Sequence, residues 1–331
     1  MNHKFQALVV RASDDKIYSR AIEERRIEDL PEGEVLIRVQ YSSLNYKDGL
    51  SCIGNPGVTR RYPHTPGIDA AGIVELSDSS EFNTGDAVII TSVDLGMNTA
   101  GGFGQYIRVP ADWVMPLPKG LSLRESMIYG TAGYTAGLSV DFLQRQGISP
   151  QHGPIIVTGA TGGVGSVSIS LLARLGYSVT ASTGKPDAEE FLKGLGASDV
   201  IGRESISDEF GRPLLKEVWA GAIDTVGGTT LANLLKACKE GGVVVATGLV
   251  ASSDLFTTLF PFILRGVSLL GVNAQGTTMS VRQKIWARLS ADWKPTGLES
   301  LAVDCRLEQL DPEIDRILAG HQRGRVVVCM T

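Results

Sequence analysis

The chain has 331 residues, of which 43% are hydrophobic and 20% are charged, and its formal net charge is -5 at pH 7. A chain of this length has room for about two domains, because single hydrophobic cores stop growing at shorter lengths. The composition is that of a folded globular protein and excludes disordered and fibrous classes. Nucleic acid is not an expected partner, since phosphate backbones are bound by basic surfaces.

Secretion and membrane insertion are not expected either. The N-terminus turns polar at 11–14, too early for a secretory signal, and no uncharged apolar run reaches about 18 residues. The cysteines lie far apart, at Cys52, Cys238, Cys305 and Cys329, so we expect buried reduced thiols rather than disulfides. The four histidines are equally scattered, and no metal site is expected. These features predict a cytoplasmic, metal-free protein.

The hydrophobic pattern changes once along the chain. From Lys4 to Gly120 it consists of short apolar or alternating runs broken by Gly, Pro and Asp, which predict a compact β barrel or sandwich. Beyond Leu123 helix and strand patterns alternate, and repeating βα units require a parallel sheet. The last strand, GRVVV, most simply rejoins the first sheet. We therefore predict a mostly β domain at 1–123, completed by 272–331, with a doubly wound Rossmann domain at 124–271 inserted in it.

The strongest motif is IIVTGATGGVGSVSISLLARLG, an apolar strand that runs into a glycine-rich loop and then a helix. Glycines let the backbone approach a pyrophosphate, and the helix N-terminus supplies free N–H groups and a positive dipole end. Within a βαβ unit this order predicts dinucleotide binding rather than a simple tight turn. The letters also fit the loop of short-chain dehydrogenases, but that family requires YxxxK, which the sequence lacks.

The end of the next strand distinguishes NADP from NAD. An NAD site normally places an acidic residue about 20 residues along, on the ribose 2′-hydroxyl. The corresponding segment here, Ala181-Ser182-Thr183-Gly184-Lys185, has hydroxyls and a cation but no carboxylate. NADP(H) is therefore predicted, with Thr183, Gly184 and Lys185 at the 2′-phosphate, although Lys185 has the alternative of being an ordinary solvated lysine. Arg203, after the following strand, is a second phosphate ligand candidate.

Taken together, these motifs resemble the medium-chain dehydrogenase/reductase superfamily, in its zinc-independent, quinone-oxidoreductase-like branch and closest to the acrylyl-CoA reductase group. Further carriers of the resemblance are YSSLNYKDGL, PGIDAAGIV, MIYGTAGYTAGL, VWAGAIDTVGG and PFILRGVSLLGV. The resemblance implies a GroES-like catalytic domain around the Rossmann domain. Zinc-dependent members carry Cys where this chain has Asn45, and Gly-His-Glu where it has Gly67-Ile68-Asp69, which implies chemistry without a metal.

The family pattern also assigns residues. It implies that Tyr46 lies against the cofactor near the nicotinamide and can act in catalysis, and that Asn45 either bonds substrate or cofactor or satisfies a turn. The implied pyrophosphate ligands are Thr161, Gly162, Gly163 and Val164, and the implied nicotinamide side and cleft residues are Leu249, Ile263, Asn273 and Arg325. Arg60 and Arg61 are candidate ligands for CoA phosphates, or simply solvated.

Three functions remain open from the sequence. The first is NADPH-dependent reduction of the C=C bond of a short enoyl thioester, acrylyl-CoA to propionyl-CoA, with Tyr46 or water as proton donor. The second is reduction of a quinone or another enone in the same site. The third is a non-enzymatic NADPH-binding protein on a shared fold. The family pattern further implies a homodimer that pairs through the strand SLLGV.

Overall fold

The computed structural model describes residues 4–208 and 211–330, which form two compact units. The first unit, called the β unit here, takes its described residues from 1–131, 277–290 and 299–331, and the parallel-sheet unit takes its residues from 132–276 and 291–298. The strands are β1 (Lys4–Ala12), β2 (Tyr18–Arg26), β3 (Val35–Ser43), β4 (Ala70–Ser77), β5 (Ala87–Ile90), β6 (Tyr106–Val109), β7 (Met115–Pro116), β8 (Ile155–Thr158), β9 (Val179–Thr183), β10 (Asp199–Gly202), β11 (Trp219–Asp224), β12 (Cys238–Ala246), β13 (Ser268–Gly271), β14 (Ala302–Arg306) and β15 (Arg325–Cys329). The helices are α1 (Tyr46–Cys52), α2 (Leu123–Arg145), α3 (Gly163–Arg174), α4 (Glu189–Gly194), α5 (Gly228–Ala237), α6 (Phe260–Arg265), α7 (Met279–Leu289) and α8 (Leu310–Leu318).

The β unit holds a β1–β2 hairpin and a larger sheet in the order β14-β15-β3-β4-β5-β7, with β6 also paired to β3. In β3 the side chains of Ile37 and Val39 are buried while Arg38 between them is exposed, the period expected of a strand with one face on the core. The C-terminal strand β15 pairs antiparallel with β3. The prediction that the chain returns to its first sheet is therefore confirmed.

The parallel-sheet unit has the strand order β10-β9-β8-β11-β12-β13, with every neighbouring pair parallel. This is the order of a dinucleotide-binding Rossmann sheet, in which the direction of winding reverses between the two central strands. Those strands are β8 and β11, so the carboxyl ends of β8 and β11 mark the edge at which such sheets bind ligands. The predicted fold class, a Rossmann sheet inserted in a mostly β domain, is confirmed.

The pattern of RESMIYGTAGYTAGLSVDFLQ predicts one helix, but the corresponding helix α2 contains a break. Gly130 has φ 51° and ψ -156°, which lies outside the helical region and is readily reached only by glycine. Two short helices of the β unit, α1 and α8, were not predicted at all, because seven and nine residues are too few to show a clear helical period.

No helix within residues 4–208 and 211–330 combines the length and the apolar character that crossing a membrane requires.

Candidate active site

The glycine-rich loop lies between β8 and α3, at the carboxyl edge of the parallel sheet. Gly162 is the residue before the first turn of α3, and that turn has N–H groups without helical acceptors. Gly165 packs against the loop itself, because a Cβ there would overlap the Gly159 carbonyl. Thr161 is buried, while Gly162, Gly163 and Val164 are partly exposed. The four residues predicted for the pyrophosphate are thus brought together at one helix N-terminus, which suits an anion.

The predicted 2′-phosphate residues form a second group in the same unit. Thr183 ends β9, and its hydroxyl oxygen accepts a hydrogen bond from the Lys185 backbone N–H at 3.1 Å. The Arg203 guanidinium lies against the backbone of Gly184, so closely that a Cβ at Gly184 would overlap it. Arg203 and Gly184 are both exposed. The sequence-predicted cation therefore lies beside the end of β9, where a cofactor ribose is recognised in this fold.

A third group lies where β12 and β13 end. An open groove of about 530 Å³ is lined there by Leu249 and Asn273, together with the 227–228 turn. Leu249 is 64% exposed and the adjacent Val250 is 68% exposed, so apolar side chains are accessible beside this groove. Ile263 lies on α6 and is 70% exposed, but it is not among the residues that line this groove.

In the β unit, Asn45 and Tyr46 begin α1. The Asn45 backbone N–H donates to Asp48 Oδ2 at 2.8 Å, which fixes the first turn. Tyr46 is 41% exposed, so its ring is accessible to a ligand. The Asn45 side chain is used internally: its Nδ2 donates to the Ser43 carbonyl at 3.1 Å and to Asp69 Oδ2 at 2.8 Å. Of the two interpretations of Asn45, the geometry favours the internal one.

The carboxylate of Asp69 is the centre of a buried polar cluster. It has no exposed surface and accepts hydrogen bonds from Ser43 Oγ at 2.6 Å, from Asn45 Nδ2 and from Thr131 Oγ1 at 2.6 Å. The Thr131 backbone N–H adds a further bond at 2.9 Å. Thr131 can reach the carboxylate because helix α2 breaks at Gly130. A Cβ on Gly130 would overlap both the Asp69 carboxylate and the Ser43 hydroxyl.

Arg325, predicted to line the cofactor cleft, is buried in this cluster. Its Nη1 donates to Asn45 Oδ1 at 3.2 Å and its Nη2 to Ser43 Oγ at 2.9 Å. The same guanidinium donates to the carbonyls of Leu44 and Ile128 at 3.1 and 3.0 Å and lies 3.9 Å from Asp69 Oδ2. Burial lowers the pKa of Arg325, whereas the neighbouring carboxylates raise it. Its donors are directed at protein groups, and Arg325 thereby orients Asn45. Its place in the cofactor cleft stays a prediction.

Asp48, below the first turn of α1, is also fully buried. Burial raises its pKa from 3.8 to about 7, and the charge of Asp69 adds to the rise. Hydrogen bonds from the backbone N–H groups of Gly67 and Ile68 at 3.1 and 2.9 Å oppose that rise. Asp48 therefore ties the start of α1 to the loop that leads into β4.

The two arginines predicted for CoA phosphates, Arg60 and Arg61, are exposed in a loop of the β unit, and Arg60 Nε donates to the Pro56 carbonyl at 3.2 Å.

Comparison with known proteins agrees with this architecture. Residues 31–119 match the family model of the alcohol dehydrogenase GroES-like domain, and residues 163–291 match the model named zinc-binding dehydrogenase. The chain is 44% identical to the acrylyl-CoA reductase AcuI of Ruegeria pomeroyi over 98% of both proteins. It is 46% identical to YhfP of Bacillus subtilis strain 168, provisionally named a quinone oxidoreductase, over 99% of both.

The chain belongs to the medium-chain dehydrogenase/reductase superfamily.

Solved structures of this superfamily match the whole chain. Escherichia coli YhdH with NADPH bound has a TM-score of 0.95 at 42% identity, covering 98% of this chain and 100% of that one. YhfP of Bacillus subtilis with NAD bound has a TM-score of 0.96 at 45% identity, covering 99% of each chain. The two neighbours thus hold different dinucleotides in their crystals.

Some members of the superfamily use zinc, so we tested whether the residues at the corresponding positions fit that ion. Asn45 and Asp69, which stand at two of the ligand positions, are bonded to each other, and the Arg325 guanidinium lies beside them. Zinc prefers thiolate, imidazole and carboxylate ligands, and a cation here would face the guanidinium charge. In the part of the chain that the structure describes, no group of three His, Cys, Asp or Glu residues is placed to hold a metal. The arrangement of Asn45, Asp69 and Arg325 does not fit a zinc ion at this position.

The sequence did not reveal Gly130 and Thr131 as part of this site. Their only local signal is a glycine within a helical pattern, which indicates a close approach or a break but not its purpose. Ser43 gave no signal, since a serine near a strand end is ordinary.

We predict that Gly130→Ala lowers the free energy of unfolding by about 2 kcal/mol more than a matched glycine substitution, because the added methyl overlaps buried polar atoms. Gly147→Ala is the control, since Gly147 also has a positive φ, of 81°, but has open space around its Cβ position. Urea unfolding of both variants measures the difference. Equal losses would show that backbone strain alone matters at Gly130.

Proposed function

We propose that this protein is a zinc-independent, NADPH-dependent oxidoreductase that reduces the C=C bond of a short enoyl thioester, acrylyl-CoA to propionyl-CoA. The observation that carries the cofactor assignment is the Arg203 guanidinium against Gly184 at the end of a β9 strand without a carboxylate. The substrate assignment rests on the 44% identity with an acrylyl-CoA reductase over nearly the whole chain.

The proposed cofactor residues divide into the three groups described above. The 161–164 segment at the N-terminus of α3 would hold the pyrophosphate, and Thr183, Lys185 and Arg203 would hold the 2′-phosphate. Leu249 and Asn273 would line the nicotinamide end of the cofactor. Ile263, predicted for the same region, is exposed on α6 and does not line that groove. When bound, NADPH supplies a hydride to the β-carbon of the substrate.

The β unit would supply the polar groups of the reaction. As the thioester C=C bond is reduced, negative charge develops on the thioester oxygen and must be met by preorganised donors. We assign this task to the Tyr46 hydroxyl and backbone N–H groups, with the proton for the α-carbon coming from Tyr46 or from water. Asn45, Asp48 and Arg325 would act as positioning residues, since they fix the turn from which Tyr46 projects.

We propose in addition that the protein is a homodimer. Strand β13 ends the parallel sheet, and among residues 4–208 and 211–330 no further strand pairs with its outer edge. Large apolar side chains are exposed in the preceding segment, at Phe256 (84%), Leu259 (70%) and Leu264 (59%). An open strand edge and an apolar patch together suit a second copy of the chain. Sedimentation velocity would give the mass of a dimer, and a monomer mass would contradict the assignment.

The substrate proposal is tested by NADPH oxidation with acrylyl-CoA, crotonyl-CoA and a benzoquinone, each with and without EDTA. We expect rapid, EDTA-resistant turnover of acrylyl-CoA, and a higher KM for acrylyl-CoA when Arg60 and Arg61 are both changed to alanine. Turnover confined to the quinone would favour the second candidate function, quinone or enone reduction. The 46% identity with YhfP supports that candidate. Tight NADPH binding without oxidation by any acceptor would favour a non-enzymatic role.

Tyr46→Phe should lower kcat with acrylyl-CoA by about a hundredfold, because it removes a hydroxyl that donates to the developing charge. Tyr62→Phe is the control: it removes a hydroxyl of the same unit that donates to the Ser51 carbonyl at 2.6 Å. Steady-state kinetics and thermal unfolding of both variants separate the two effects. Unchanged kcat in Tyr46→Phe would remove Tyr46 from the chemistry.

Arg203→Ala should weaken NADPH binding by about ten- to a hundredfold and leave NADH binding nearly unchanged, because a charge-assisted bond to the 2′-phosphate is lost. Arg174→Ala, an exposed arginine of α3, is the matched control. Calorimetric titration with each dinucleotide measures the effect. Equal losses for NADPH and NADH would contradict the placement of the 2′-phosphate.

A further inference from the structure

Two buried side chains meet at the point where the Rossmann sheet reverses its winding. Thr158 is the last residue of β8 and Asp224 is the last residue of β11. The two strands are neighbours, with Val157 paired in register with Ile223, so the two residues lie at the same level of the sheet. Both are almost fully buried, with 1% and 0% of their surface exposed.

Thr158 and Asp224 are joined by short hydrogen bonds. Thr158 Oγ1 donates to Asp224 Oδ1 at 2.5 Å, and the second carboxylate oxygen accepts from the Gly227 backbone N–H at 2.7 Å. Thr225 completes the connection, because its backbone N–H donates to Thr158 Oγ1 at 3.2 Å and its hydroxyl donates to the Thr158 carbonyl at 3.1 Å. The partners of Asp224 are thus a hydroxyl and backbone groups, not a cation.

These contacts connect the two loops that we assign to the cofactor. Thr158 is followed directly by Gly159, the first glycine of the pyrophosphate loop, and Asp224 is followed by the 225–228 turn, which borders the groove of Leu249 and Asn273. Gly159 has φ 57°, and a Cβ there would overlap the Thr225 hydroxyl. The two loops are therefore in van der Waals contact as well as hydrogen-bonded at their bases.

A carboxylate at this position is otherwise unfavourable. Burial raises the pKa of Asp224, since an ion without solvent or a cation nearby is poorly stabilised. The site is also close to the loop that would hold a doubly negative pyrophosphate. A neutral side chain would fill the same space at lower cost, whereas the Asp224 carboxylate offers two acceptors, one to Thr158 and one to the Gly227 N–H.

We propose that Thr158 and Asp224 form a brace that holds the pyrophosphate loop and the 225–228 turn at the spacing that a dinucleotide spans. The inference rests on the proposed NADPH binding. We assign both as positioning residues, because they are almost fully buried and bonded to protein groups. A brace of this kind affects a ligand that touches both loops and leaves a ligand that touches neither unaffected.

The test compares NADPH with adenosine 2′-monophosphate, which would occupy only the Thr183, Lys185 and Arg203 group. Thr158→Val removes both hydrogen bonds of the Thr158 hydroxyl, and we expect the Kd of NADPH to rise about five- to tenfold and the Kd of adenosine 2′-monophosphate to change less than about twofold. Asp224→Asn, which keeps one acceptor oxygen, should give a smaller rise in the NADPH constant. Thr225→Val, which removes only one of the bonds, is the alternative variant if Thr158→Val does not fold.

Ser139→Ala is the matched control, since Ser139 is a buried residue of the same unit whose hydroxyl donates to the Thr135 carbonyl within helix α2. It should change neither constant. If the variant constants for NADPH and adenosine 2′-monophosphate rise together, or if neither rises, the brace is wrong. If the unmodified protein does not bind NADPH, the proposed function fails, and the brace fails with it.

Discussion

The structure of the β unit depends on satisfying one buried carboxylate, that of Asp69. A charged group without solvent must be met by donors, and removing one of them leaves the charge uncompensated. Ser43 comes from the end of β3, Asn45 from the start of α1 and Thr131 from the break in α2, so this carboxylate fixes the relative positions of three elements. Arg325, from β15, supplies the compensating charge at 3.9 Å.

The parallel-sheet unit also contains a buried carboxylate that is satisfied by hydrogen-bond donors, that of Asp224. There the strand order brings the carboxyl ends of β8 and β11 side by side, and the buried Asp224 is satisfied by the hydroxyl of one strand end and the amides of its own turn. In both units a buried acidic residue beside a strand terminus, Asp69 just before β4 and Asp224 at the end of β11, holds neighbouring segments together. Precise placement of loops is what cofactor binding and catalysis require, because small displacements of reacting groups are costly.

Much of the fold could be predicted from the sequence because its signals are local. Apolar strands, helical periods and the glycine-rich loop after IIVT each occupy fewer than about 20 consecutive residues, and the βα order then dictates a parallel sheet. The return of β15 to the first sheet followed from the absence of a neighbouring βα unit. The grouping of 161–164, and of Thr183 with Arg203, followed from the same order, since consecutive strand ends meet at one edge of the sheet.

The rest could not be predicted because it depends on contacts between residues far apart in the chain. Arg325 and Asn45 are 280 positions apart, and nothing near either residue indicates the other. The break at Gly130 brings Thr131 to the Asp69 carboxylate, and the sequence does not show that Asp69 lies next to it. The family resemblance placed Arg325 at the cleft but did not reveal that its donors are directed at the protein. Tertiary satisfaction of buried polar groups, rather than local propensity, decided these positions.

In the proposed reaction, hydride passes directly from the nicotinamide to a substrate C=C bond. The most direct test is turnover of acrylyl-CoA with NADPH that carries deuterium at both hydrogen positions of the nicotinamide C4, followed by mass spectrometric and NMR analysis of the product. We expect propionyl-CoA with one deuterium at the β-carbon and a solvent-derived hydrogen at the α-carbon. Propionyl-CoA without deuterium at the β-carbon would contradict it.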